Sequence, residues 1–165
     1  MTETERIAYH EAGHAVVAHY LGYKIGDATI VPDPVEGARA GILIAQESQT
    51  LHDRFIHPSG EHDAKSLQDW LPVLMAGIAA VELILGEVDI AKWMEASDDI
   101  NEAHRIAEEY GYRDEVERTS MVGSAMIKAE TILKSRRQAL DALAKELLRA
   151  ETMTGEQVSA LIQRT

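Results

Sequence analysis

The sequence contains no cysteine. Disulfides and thiolate-bound metals are therefore excluded, and any metal site must be built from histidines and carboxylates. The absence is compatible with a reducing compartment, and a cytoplasmic protein is the expectation. Positive charge is scarce: 16 Lys and Arg face 28 Asp and Glu, a net charge of −12. A chain so acidic is not expected to take nucleic acid as a partner. Aromatic residues are few, at 5%, while apolar content is ordinary at 45%. Long apolar runs are missing too. The longest, Trp70 to Leu85, is interrupted by Pro72 and Glu82 and falls short of the roughly 20 residues of a membrane span. It reads as a core helix, so no membrane span is expected in this chain. The N-terminus is polar and acidic, unlike a signal peptide. There are no repeats and no low-complexity segment. A length of 165 residues suits a single domain over 1–165 with a sizeable core.

What is present is organised around His10-Glu11-Ala12-Gly13-His14, an H-E-x-x-H signature. Residues four apart on an α-helix lie about 40° apart around the axis and one turn apart along it. Both imidazoles can then reach one zinc ion. Glu11, on the edge of the same face, can reach a metal-bound water, take its proton and pass it to a leaving amine. Thr2-x-x-Glu5 offers a capping box, Ile7, Val17 and Leu21 form an apolar stripe, and Gly22 can end the helix. Ala12 and Gly13 are small enough to let another backbone approach closely.

Beyond this helix, Ala28–Val31 and Gly41–Ile44 read as two short strands. Pro32-Asp33-Pro34 and Glu36-Gly37 break the chain between them. A β-hairpin or small sheet is expected, which either covers the core or offers an edge to an extended peptide. Ser48 to Asp63 reads as a loop. Its His52, His57 and His62 have five-residue spacing, which suits neither one helix face nor one strand face, so solvated loop histidines are expected.

Lys65 to Glu87 is a long helix, apolar almost all round and hence central. Glu82 sits within it, where a charge must be paired, hydrogen-bonded or metal-bound. It can orient a ligand histidine, bind zinc itself or form an ion pair with a core-facing cation. After a connector, Val88–Ala96, Ser97 can cap a helix that begins with Asp98 and Asp99. Asp98 shares a face with Glu102, Arg105 and Glu109, a solvated stripe. Asp99 shares its face with Ala103, Ile106 and Tyr110, so it should point inward. An inward carboxylate is costly unless it meets a cation, which makes Asp99 the candidate third ligand beside the two histidines. His104 lies nearer the polar side. Tyr110 to Gly123 reads as polar and turn-like. Ser124 to Glu151 reads as helix with Ile127, Ile132, Leu140, Leu143, Leu147 and Leu148 inward. Thr154-x-x-Gln157 can cap a last short helix.

These motifs, in this order, resemble the metallopeptidase domain of the FtsH-type ATP-dependent zinc proteases. Ile7-Ala8-Tyr9 followed by HEAGHAVVA is similar to that family's motif helix. Ala28–Pro32, then Ala40-Gly41-Ile42, resembles its hairpin. Ala76-Gly77-Ile78-Ala79-Ala80-Val81-Glu82 resembles its Gly-Gly-Arg-x-Ala-Glu-Glu segment, with Ile78 in place of the Arg and Val81 in place of one Glu. Ala96-Ser97-Asp98-Asp99-Ile100 is similar to its Ala-Ser-Asn-Asp-Ile, and Glu151–Glu156 to its Glu-Thr-Leu-x-Gly-Glu turn. The resemblance implies a mainly α zinc metallopeptidase domain with a small β-hairpin or sheet after the first helix. It implies zinc ligands His10, His14 and Asp99, Glu11 as general base, and Glu82 as a residue behind the ligands or an alternative ligand.

The family couples this domain to a membrane anchor and an ATPase ring. The present sequence has no Gly-rich phosphate loop with Lys-Ser/Thr. The expectation is a zinc metalloendopeptidase without its own ATPase, acting on peptides or unfolded protein, or on substrates delivered by a separate ATPase or adaptor. The resemblance leaves a homo-oligomer open. The rival expectation is a non-catalytic zinc-binding adaptor or interaction module. A hydrolase of a non-peptide amide is a further alternative, since the motif specifies activated water and not its target.

Overall fold

The computed structural model describes residues 1–31, 41–44, 64–86 and 98–165. The elements run α1 (Glu3–Tyr20), β1 (Ile25–Thr29), β2 (Gly41–Ile44), α2 (Ala64–Leu85), α3 (Asp98–Glu109), α4 (Glu115–Ser135), α5 (Arg137–Ala150), β3 (Thr152–Met153) and α6 (Gly155–Gln163). The fold is mainly α with a small antiparallel sheet after the first helix. The expected loop with His52, His57 and His62, the connector with Ser97, and the turns around Pro32 and Gly37 lie outside the described residues.

The start of α1 is fixed by its own sequence. Glu5 N–H donates to Thr2 Oγ1 at 3.2 Å, and Thr2 N–H donates to the Glu5 carboxylate at 2.6 Å. Two otherwise unpaired donors of the first turn are thereby satisfied. At the other end Gly22 takes φ +87°, a conformation a β-carbon disfavours, and the chain turns into β1.

α1 packs face to face with α2, and the contact depends on a missing side chain. A β-carbon at Gly13 would stand 2.6 Å from Ala80 Cβ and would overlap the Ala76 carbonyl. The two backbones approach closely because Gly13, Ala76 and Ala80 are small. α2 carries the centre of the core, with Leu67, Leu71, Ala76, Ala79 and Ala80 buried. Its span Leu67–Leu85 is 19 residues, long and apolar enough to cross a membrane by length and composition alone, and 67% of it is buried inside the fold. The apolar run counted from Trp70 is shorter because the span begins three residues earlier, at Leu67. α4 and α5 close the other side of the core through Ala129, Ile132, Leu133, Leu140, Leu143 and Leu147.

The structure corrects the reading of 110–151. Asp114 caps α4, accepting from the Val116 and Glu117 amides at 3.0 Å each, so the helix begins at Glu115 and not near Ser124. Ile127, expected inward, is 65% exposed. Within one unbroken helix from Glu115 its position falls on the outer face, whereas Ala125 and Ala129 face the core. Leu148 is likewise more exposed than expected, at 36%.

The sheet has three strands in the order β2-β1-β3. β2 pairs antiparallel with β1 (Ile25 with Ile44, Thr29 with Gly41) across an irregularity between Ile25 and Ala28. β3 adds to the other side of β1, Ala28 opposite Met153 and Thr29 opposite Thr152. β1 is therefore central, with both edges filled. Thr154 and Gln157 cap α6 reciprocally, and Gly155 packs its backbone against Ile25 and Gly26.

Candidate metal centre

The site forms where α1, α2 and the first turn of α3 meet. His10 and His14 project from one face of α1 with ring centroids 4.6 Å apart and planes at 80°. Their Nε2 atoms stand 3.0 Å apart. From α3, one carboxylate oxygen of Asp99 lies 3.1 Å from His10 Nε2 and 3.4 Å from His14 Nε2. The inward pointing inferred for Asp99 from its helical face thus agrees with its place in the fold. Ala103 and Ile106 on that face are fully buried, and Tyr110 nearly so. Asp98 is exposed, and Arg105 pairs with Glu102 and Glu109 at 2.5 Å each on the solvated side.

α2 shapes the floor. The Val73 carbonyl accepts from His14 Nδ1–H at 2.7 Å. In the neutral ring that bond selects the tautomer in which Nε2, turned toward His10 and Asp99, carries the lone pair. One turn along, Gly77 lies directly beneath both rings. A β-carbon there would stand 2.5 Å from His10 Nδ1 and 2.5 Å from His14 Nε2. Gly77 was not singled out as a site residue in the sequence reading; a glycine inside a long apolar helix was the available signal.

The electrostatics follow from burial and proximity. Burial alone pushes the His14 imidazole down, but the Asp99 carboxylate outweighs it, helped by Glu11 and the Val73 carbonyl. The net result is a pKa raised from 6.5 to about 9. Burial would raise Asp99, yet the two imidazoles, His14 foremost, hold it well below the usual carboxylate range. Glu11 is the sole buried charged residue among those described, 5% exposed. Burial pushes its carboxyl up, only partly offset by His14 and His10.

One ligand atom from each of His10, His14 and Asp99 falls within 4.8 Å of the other two. Two imidazole nitrogens and a carboxylate oxygen suit zinc and leave a fourth position for water or substrate. The donor set fits the metal: two imidazole nitrogens and a carboxylate oxygen converge within reach of one cation. Glu82 is not in this group; it is half-buried. It follows Gly77 by five residues, about 140° around the helix from the floor of the site. His104 is also outside the group.

Comparison with known proteins gives the family. Residues 1–125 match the profile of Peptidase family M41. The chain is 30% identical, over 98% of its length, to ATP-dependent zinc metalloprotease FtsH 2 of Sphaerobacter thermophilus, and covers 27% of that protein. It is 28% identical, over 99% of its length, to ATP-dependent zinc metalloprotease FtsH of Lactococcus lactis, of which it covers 27%. The chain thus spans less than a third of the length of these relatives.

Proposed function

The chain belongs to peptidase family M41, and from that premise we propose that it is a zinc-dependent metalloendopeptidase acting on peptides and unfolded protein segments. One observation carries this reading: donors of His10, His14 and Asp99 converge within 4.8 Å, with buried Glu11 on the same helix as both histidines. Bound there, zinc would supply Lewis acidity, polarising a carbonyl and acidifying water.

The chain's own residues do the rest. His10 and His14 would hold the metal, and the Val73 carbonyl, bonded to His14 Nδ1, keeps His14 oriented for it. Asp99 would add a third ligand and its negative charge. Glu11 works as the proton carrier. Its carboxylate takes a proton from the attacking water and delivers it to the leaving amine nitrogen, so each turnover returns it to the charged form. Burial raises its affinity for that proton, which suits a base that must hold it between the two transfers.

The alternative, a closed structural site, needs a fourth protein ligand. Among the described residues the group offers three, and such a site has no use for Glu11. The relatives are named ATP-dependent, while this sequence holds no Gly-rich phosphate loop. Folded substrates would need prior unfolding by an ATPase module, whether joined to this domain or separate from it. The test is Glu11→Gln, assayed on an unfolded protein such as casein alongside zinc content. Retained zinc with hydrolysis reduced about 10²–10⁴-fold is the expected result. Hydrolysis at the wild-type rate would overturn the mechanism.

A further inference from the structure

Pro72 lies inside α2 and is fully buried. It has no N–H, so the carbonyl of Gln68, one turn earlier, loses its intrahelical donor, and the proline ring crowds that same oxygen. At this exposed position the carbonyl can turn to water or to a side-chain donor. Lys128 of α4 provides the latter. Its ammonium donates to the Gln68 carbonyl at 3.1 Å and to Asp69 Oδ1 at 2.8 Å. One cation therefore serves the carbonyl that Pro72 leaves without its intrahelical donor and ties that turn of α2 to the adjacent helix.

The residue after Pro72 is Val73, whose carbonyl holds His14 Nδ1 at 2.7 Å. One turn further is Gly77, against both imidazoles. The proline turn stands at the root of the segment that seats the histidines. We propose that Lys128 is a positioning residue for the metal centre: by replacing the donor that Pro72 removes, it fixes the course of α2 through Val73 and so the orientation of His14. Lys128 touches neither histidine and acts only through the helix. The inference rests on the metallopeptidase reading in treating His14 as a ligand, and its test separates the two.

Lys128→Ala and Lys128→Arg are compared with wild type, and Lys128→Ala is repeated in a Pro72→Ala background. Two quantities are read: the His14 Nδ1–H proton resonance of the metal-free protein, and zinc affinity by competition with a chelator. Lys128→Ala is expected to shift the resonance upfield and weaken zinc about 3- to 10-fold, less than the ~10–100-fold typical of groups bonded directly to a ligand. Lys128→Arg should restore both. Asp69→Asn, which leaves the bond to the Gln68 carbonyl, should keep the resonance in place. Alanine at position 72 returns an N–H to Gln68, so adding Lys128→Ala there should change neither quantity. An unmoved resonance in Lys128→Ala, or an equal effect in both backgrounds, would overturn the proposal. If the wild type takes up no zinc, the metallopeptidase reading fails, and the His14 resonance still decides the role of Lys128.

Discussion

Gly77 and His14 occupy one space: a β-carbon on Gly77 would lie 2.5 Å from His14 Nε2, the atom that faces Asp99. The same β-carbon would meet His10 Nδ1 at 2.5 Å. The imidazoles can converge only because α2 presents bare backbone beneath them. Gly77→Ala gains helix propensity, about 1 kcal/mol, yet must displace one or both rings. Zinc affinity is expected to fall at least ~10-fold, as for loss of a group that orients a ligand, while the far-ultraviolet circular dichroism stays helical. Titration with a chelator-buffered zinc series measures it, and wild-type affinity in this variant would show that the rings do not rest on Gly77.

The close approach of α1 and α2 gives a second prediction, with an internal control. Gly13→Ala places a methyl 2.6 Å from Ala80 Cβ and against the Ala76 backbone. Overpacking of this kind costs about 1–3 kcal/mol. Gly123, on the exposed face of α4, has nothing within 4 Å of an added β-carbon. Gly123→Ala should therefore stabilise by ~1 kcal/mol through helix propensity. Urea denaturation of both variants separates packing from propensity. Two changes of the same sign would contradict the packing assigned to Gly13.

Metal binding should compete with protons. In the metal-free protein, against the effect of burial, the Asp99 carboxylate pushes the His14 imidazole up from 6.5 to about 9, so at neutral pH it carries a proton that zinc must displace. Zinc affinity should rise with pH by about tenfold per unit until His14 is neutral, one proton being released per ion. Calorimetry in buffers of different ionisation enthalpy measures that proton. No release at pH 7 would contradict a protonated His14.

The same shifts set the stability of the metal-free protein. His14 is raised, so its stabilising contribution is complete below the unfolded value of 6.5 and is lost as pH climbs through about 9. Asp99 is lowered, so its contribution is present above the ordinary 3.8 and disappears as pH falls below that value. Maximal apo stability is therefore expected between the two ordinary values, with a decline toward pH 9. Thermal melts with a chelator present, in wild type and Asp99→Asn, test this. The variant should lose most of the decline.

The candidate site was legible in the sequence where local pattern and tertiary place coincide. The HEAGH spacing, the Thr2–Glu5 cap and the facing of Asp99 on an amphipathic helix are all local, and each reappears in the fold. What escaped depends on partners distant in the chain. β3 is only two residues long and exists because β1, more than 120 residues earlier, offers an edge: Thr29 Oγ1 meets Thr152 Oγ1 at 2.9 Å. The first turns of α4 were hidden because Val116 is 76% exposed, leaving no inward apolar period there, although Asp114 with Glu117 three residues on was a start signal. Gly77 reads as an ordinary helix glycine until the rings above it are seen.

The central claim is that His10, His14 and Asp99 hold a metal ion, and zinc stoichiometry by elemental analysis tests it most directly. It is measured on untagged wild-type protein and on His14→Ala after zinc loading and gel filtration. The account predicts roughly one zinc per chain in the wild type, as for a three-ligand open site, and its loss in the variant. A wild-type protein that retains no zinc after loading, or a His14→Ala variant that retains as much, would contradict it.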